Sequence, residues 1–379
     1  MPVILAVFSI LLFALSLPAT AAEIPVPAPP VIGAKSYLVI DGITGHEIAS
    51  LNPDERLAPA SLTKLMTAYV VFASLQDESL RLDEDVVVSE KAWRTPGSRM
   101  FIEVGNRVSI EDLLLGTIVQ SGNDASVALA EHVAGTEAVF AEMMNRYAAQ
   151  LGMSASHFEN ATGLPDDEHY TTARDMATLA RAIVNDFPDY YRWYSVREFE
   201  YNNIKQPNRN SLLWRDPSVD GMKTGHTDDA GYCLVSSAKR EDMRLVAVVM
   251  GTASAKARVD GSQALLNYGF RFFETRLLYQ GGEQVAEARV WKAAHEMTPL
   301  GLPEDLYITM PRGSYDRLKS VLHMPTTVLA PLAKGQPVGE LEISLDGKPL
   351  VSEPLRALNE NPVGSIWQRA KDSVSLWFE

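Results

Sequence analysis

Charge is missing from the start of this 379-residue chain: no Lys, Arg, Asp or Glu precedes Glu23. Met1 to Leu17 is almost wholly apolar and runs into Pro18-Ala19-Thr20-Ala21-Ala22, so residues 1–22 read as a secretory signal peptide with a small-residue cleavage site. The apolar run is short for a bilayer span. Cysteine is nearly missing too; Cys233 stands alone, cannot pair within the chain, and is expected to be a small buried hydrophobe. Stability must then come from packed cores. Positive charge is in deficit, 34 Lys and Arg against 48 Asp and Glu, and the net charge of −14 argues against nucleic acid as a partner. Metal-binding patterns are lacking as well. His46, His132, His157, His169, His226, His295 and His323 show no H-E-x-x-H or comparable spacing, so no metal and no cofactor is implied.

What is present has room for two domains. Residues 23–30 form a Pro-rich tether. Residues 31–278 read as a first domain. Ser36 to Asp41 and Glu47 to Leu51 are predicted strands around the turn Gly42 to Gly45. A largely helical middle follows, with a capping-box pattern at Ser109-Ile110-Glu111-Asp112, a stop at Ser121-Gly122-Asn123, and helices over Ala125 to Val133, Phe140 to Leu151 and Thr171 to Val184. After Trp214 the period returns to strands, with Tyr232 to Ser237 and Leu245 to Met250 flanking the polar turn Lys239 to Arg244. The helix Val259 to Phe273 closes the unit. Strands at both ends of a helical middle imply an α+β fold whose sheet is assembled from the two termini. Composition shifts at Gly281-Gly282, and residues 279–360 read as a small all-β domain with strands near Gln284 to Trp291, Leu306 to Met310, Val321 to Leu329 and Gly339 to Leu345. Residues 361–379 suggest an amphipathic helix with Val363, Ile366, Trp367, Ala370, Val374, Trp377 and Phe378 on one face. It is too polar to span a bilayer, and its two tryptophans suit a membrane surface.

The densest chemistry lies in Ala60-Ser61-Leu62-Thr63-Lys64-Leu65-Met66. Ser61 and Lys64, three residues apart at a helix start, share one face. A serine hydroxyl needs a neighbouring base to become a nucleophile. Lysine can serve only if neutral, and lowering its pKa by about three units takes roughly 4 kcal/mol of differential interaction, supplied by burial and a second cation. Other short matches prove less. Ser236/Lys239 repeats the S-x-x-K spacing inside a predicted strand, where the two side chains point to opposite faces, and Ser50-Leu51-Asn52 merely ends a strand.

Ser61/Lys64 is followed in order by Ser121-Gly122-Asn123 and Lys223-Thr224-Gly225, the trio that marks penicillin-binding proteins and class A β-lactamases, with Gly122 where the lactamase form has aspartate. The chain resembles the penicillin-recognising acyl transferases. More closely, it is similar to the low-molecular-mass D-alanyl-D-alanine carboxypeptidases of the bacterial envelope. Asp220 to Thr227, Asn208 to Trp214, Thr172 to Ala177 and Tyr268 to Thr275 carry the likeness as well, and so does the whole layout.

The resemblance implies a β-lactamase/transpeptidase-like domain with an antiparallel sheet and a helical subdomain, then the β domain and terminal helix. It implies a serine carboxypeptidase that removes the last D-alanine from peptidoglycan pentapeptide stems, takes β-lactams as covalent inhibitors, and works in the periplasm on the outer face of the cytoplasmic membrane. Ser61 would be nucleophile, Lys64 base, Ser121 a proton relay, Asn123 a clamp on Lys64 and substrate, and Lys223 the second cation. Thr224, Thr227, Arg209 and Arg258 are the matched candidates for the substrate carboxylate, and the backbone N–H groups of Ser61 and His226 for the oxyanion. Gly225 should let the stem approach the strand. Ser98 matches a hydroxyl on a loop beside the site, a loop shorter here than in better-known members. Glu159 is expected to be structural, leaving deacylation to Lys64 and Ser121 and making β-lactam release slow. The rivals are a DD-endopeptidase, a β-lactamase, and a silent wall-binding protein.

Overall fold

The computed structural model describes residues 26–377, so the expected signal peptide, the first residues of the expected tether and Phe378 lie outside the described residues. The five strands of the first sheet come from both ends of the domain, as the alternation of apolar runs predicts. β1 (Ser36–Asp41) and β2 (Glu47–Leu51) join β3 (Val219–Thr227), β4 (Gly231–Arg240) and β5 (Met243–Thr252) in the antiparallel order β2-β1-β5-β4-β3. The β4–β5 hairpin is longer than predicted: its strands run to a two-residue Glu241-Asp242 turn, with Glu241 at φ 53. Successive side chains point to opposite faces. Leu38, Ile40, Val235, Val246 and Val248 therefore face the helical middle, while Tyr37, Val39, Leu234, Ala247 and Val249 pack under the helix Ala255–Phe272.

The helical middle is built around α1 (Lys64–Gln76), whose residues 64 to 72 are all buried. A helix apolar all round belongs inside a core rather than on it. Its first residue, Lys64, is thereby carried into the interior. α2 (Ile110–Leu115) opens as its capping box predicts, the Ser109 hydroxyl accepting from the Asp112 N–H at 3.1 Å, a cap worth about 1 kcal/mol. A widened turn over Gly116–Gln120 follows and stops at Ser121, whose φ of 65 is left-handed. α3 (Asn123–Ala134) starts two residues later, and α4 (Glu137–Gln150) and α5 (Ala173–Asp186) complete the layer.

The helix α6 (Ala255–Phe272) passes directly into β6 (Phe273–Tyr279), which pairs with β9 (Leu306–Pro311). β structure thus resumes before the composition shift at Gly281. The second, six-stranded sheet contains β7 (Gln284–Trp291), β8 (Met297–Gly301), β10 (Leu318–His323), β11 (Val328–Leu329), β12 (Pro337–Leu345) and β13 (Lys348–Ala357). The single strand predicted over Val321 to Leu329 is two, parted at Pro325, and β8 and β13 escaped the pattern because Pro299, Pro349 and Pro354 interrupt them. At the junction of the two units the buried Asp41 carboxylate accepts from Thr275 Oγ1 at 2.6 Å, and Thr44 Oγ1 meets Thr309 Oγ1 at 2.7 Å.

The terminal helix is α7 (Ile366–Ser375), capped by Ser365. Its polar side is the docked one: Asp372 is buried and accepts from the Lys292 N–H at 2.5 Å. Ile366, Trp367, Val374 and Trp377 point outward, the two tryptophans 86% and 90% exposed.

Candidate active site

Pro59 leads into a tight turn over Ala60–Thr63, and α1 begins at Lys64. In such a 3₁₀ turn residues i and i+3 are eclipsed, which sets Lys64 directly over Ser61. Lys64 Nζ lies 3.1 Å from Ser61 Oγ, 2.6 Å from Asn123 Oδ1 and 2.6 Å from the Thr162 carbonyl oxygen. Two of these three neighbours can only accept. A neutral amine has two N–H groups to give them and one lone pair left over, which faces the Ser61 hydroxyl.

Burial pushes the Lys64 pKa down to about 7; Asp124 opposes the shift and Arg209 reinforces it. A neutral Lys64 is thereby accessible near neutral pH. Lys223 is itself buried and held well below its ordinary pKa by burial and then by Lys64, Arg209 and Arg258, so the two amines and Arg209 disfavour charge on one another. Lys223 Nζ donates to Ser121 Oγ at 2.8 Å and to the Thr224 carbonyl at 3.2 Å. Three chain segments thus bring Ser61, Lys64, Ser121, Asn123 and Lys223 to one place. Ala60 and Ser121 both hold positive φ, 48 and 65, a conformation that costs a non-glycine residue about 1–3 kcal/mol and collects at functional sites.

The remaining predicted residues divide. Arg209 is exposed, and Thr224 is buried beside Lys223 in β3. Arg258 lies deeper: its Nη1 donates to the Gly225 carbonyl at 2.9 Å and the Cys233 carbonyl at 3.4 Å, bracing β3 on β4. Thr227 caps the following turn by accepting from the Ala230 N–H. The His226 ring is exposed and stacks on Tyr232 with centroids 3.9 Å apart. Ser98 reaches Asn123 through its carbonyl, which accepts the Asn123 N–H at 2.7 Å. Gly225 also serves a close approach within the chain. A Cβ there would lie 2.9 Å from the Pro59 carbonyl oxygen, so the missing side chain lets β3 close on the Ser61 turn itself. Glu159 pairs with His157 on the half-exposed exterior. Ser236 is buried in β4 and Lys239 exposed, as their spacing in a strand requires.

Three contributors announce themselves by no motif or spacing. Thr162 acts through its carbonyl, so its side chain announces nothing. His169 holds Thr63 Oγ1 at 2.9 Å, and burial lowers its pKa to about 4, so it stays neutral beside Lys64. Asp124 sits fully buried next to Asn123. A roomy cleft of about 790 Å³ at the junction of the two units is not a competing site, since its arginines are spent: Arg240 on Asp216, Arg276 on Glu274, Arg312 on the Phe270 and Phe273 carbonyls.

Comparison with known proteins agrees with this geometry. Residues 23–254 match the D-alanyl-D-alanine carboxypeptidase family, and residues 273–362 match the C-terminal domain of penicillin-binding protein 5. The chain is 42% identical over 382 residues to the D-alanyl-D-alanine carboxypeptidase DacC of Escherichia coli K12, covering 99% of this chain and 95% of that one. It superposes on penicillin-binding protein 5 of Haemophilus influenzae with a TM-score of 0.85 at 42% identity, covering 89% of this chain and 99% of the other. Penicillin-binding protein D2 of Listeria monocytogenes, solved in its ampicillin-bound form, matches at 29% identity with a TM-score of 0.59, over 63% of this chain and 98% of its own. The chain therefore belongs to the D-alanyl-D-alanine carboxypeptidase family of penicillin-binding proteins and is a serine-type carboxypeptidase hydrolase.

Proposed function

We propose that Ser61 attacks the carbonyl of the penultimate D-alanine of a peptidoglycan pentapeptide stem, with neutral Lys64 taking the hydroxyl proton. The observation that carries this reading is the three-way seat of Lys64 Nζ between Ser61 Oγ and two acceptor-only oxygens, in a site dry enough to lower its pKa to about 7. The backbone N–H groups of Ser61 and His226 receive the oxyanion. The Ser121 hydroxyl, held by Lys223, passes a proton to the departing D-alanine amine. Water then releases the acyl group with the same Lys64 and Ser121, because Glu159 is engaged elsewhere. β-Lactams acylate Ser61 and leave slowly. The assay is release of free D-alanine from a soluble pentapeptide; rapid nitrocefin turnover without D-alanine would instead mark a β-lactamase.

Arg209, exposed and within electrostatic reach of both lysines, is the cation we assign to the substrate carboxylate, with the Thr224 hydroxyl as a second donor. A charge-assisted hydrogen bond contributes about 1.5–3 kcal/mol, so Arg209→Ala should lower kcat/KM for a free-acid peptide by roughly 10- to 100-fold and spare a peptide amidated at its C-terminus. The same variant removes a cation that favours neutral Lys64. Its acid limb should therefore move to higher pH.

We assign the exposed face formed by Trp367 on α7 and Trp377 just beyond it to the outer surface of the cytoplasmic membrane. A chain truncated after Asn361 should keep its activity on soluble peptide and lose sedimentation with membranes. Continued sedimentation would remove the anchor.

A further inference from the structure

The Asp124 carboxylate is fully buried at the start of α3, one residue past Asn123, and its oxygens are occupied by backbone. Oδ1 accepts from the Met100 and Ala125 N–H groups at 2.8 and 2.9 Å. Oδ2 accepts from Phe101 and Ile102 at 2.9 and 3.3 Å. Three of these donors belong to one loop, and Phe101 in it sits at a φ of 70. That loop returns the favour to Asn123: the Pro96 carbonyl accepts from Asn123 Nδ2 at 2.5 Å, and the Ser98 carbonyl from the Asn123 N–H. Asn123 in turn orients Lys64.

We propose that Asp124 is a positioning residue for the reaction: its carboxylate clamps the 96–102 loop, the loop fixes the Asn123 amide against Lys64, and its buried negative charge opposes the cations gathered around that lysine. The inference rests on the reading of Ser61 and Lys64 given above. It adds a reason for spending a buried carboxylate where a neutral acceptor would hold a loop. Lys64 meets Asp124 from α3, Arg209 from the segment before Leu212–Arg215, Lys223 from β3, and His169, which burial keeps neutral. Arg99 faces Asp124 from the loop, Nε to Oδ2 3.9 Å. Asp124 is thus the anion that keeps Lys64 from becoming too weak a base to accept the Ser61 proton.

A structural clamp alone and a clamp that also sets charge predict different pH profiles. Asp124→Asn removes the anion, so the ammonium form of Lys64 loses support and the acid limb of penicillin acylation should move to lower pH by roughly half a unit or more. Its plateau should also fall, because the new NH₂ group faces two backbone donors. Gly97→Ala separates the two effects. A Cβ there would lie 2.6 Å from Asn123 Nδ2 at a φ of +92, displacing the amide with every charge retained. Its plateau should drop by about tenfold or more, since a misplacement of about 1 Å can cost ~100-fold, and its acid limb should not make the downward move that loss of the anion produces. A folded Asp124→Asn protein with the wild-type acid limb, or a Gly97→Ala protein with the wild-type plateau, would overturn the proposal. If Asp124→Asn does not fold, a Gly97→Ala protein with the wild-type plateau still overturns the link from loop to Asn123 on which the proposal rests. Loss of either effect in an enzyme that is still acylated at Ser61 leaves the reading of Ser61 and Lys64 standing.

Discussion

Ser61→Ala should abolish both fluorescent-penicillin labelling and D-alanine release, a loss of about 10⁴-fold or more, since removing a nucleophile removes the covalent route altogether. The fold should survive. Ser61 is half-buried, stands second in a tight turn rather than in the core, and alanine fits that turn without a new contact. The variant should therefore melt close to wild type and still bind stem peptide. Labelling that persists would transfer the role to another hydroxyl, with Ser121 the nearest alternative by its contact to Lys223.

Lys64→Arg is the second large effect and tests the proton rather than the bond. Arginine keeps the positive charge and the reach toward Asn123, but it does not deprotonate in the accessible pH range. General-base catalysis contributes typically 10²- to 10⁴-fold, so acylation should fall by about that factor. The sign of the pH effect follows from the depressed pKa. Wild-type acylation needs neutral Lys64, so it should hold above about pH 7 and decline as the pH falls through that value. The arginine variant should show a low rate with no limb near 7. A variant as fast as wild type would mean that Lys64 is an electrostatic partner only.

The residues that were legible in the sequence are those whose chemistry is local. Ser61 and Lys64 declare themselves by three-residue spacing, and the structure tightens that spacing into an eclipsed turn. Ser121, Asn123 and Lys223 were found by order along the chain, which periodicity alone could not have joined to Ser61. Asp124 was passed over because a carboxylate in the first turn of a helix is ordinary, and only the loop wrapped around it makes it more. Burial and a second lysine are the expected neighbours of Lys64, while Arg209, which bears on both amines, lies in a separate segment that no spacing ties to them. The first sheet was legible because its strands are apolar in runs. The second was less so, since β8 and β13 pair with each other only at Leu300–Ala357 and Gly301–Arg356, which leaves Pro299, Pro349 and Pro354 outside that ladder but breaks the strand pattern in the sequence.

The most direct test traps the intermediate. Protein treated with benzylpenicillin should gain the mass of one intact ligand, and peptide mapping should place it on the fragment that contains Ser61, with the yield falling below about pH 7 as Lys64 becomes charged. An adduct on Ser121 or Ser236, or a protein whose mass does not change, would contradict the account.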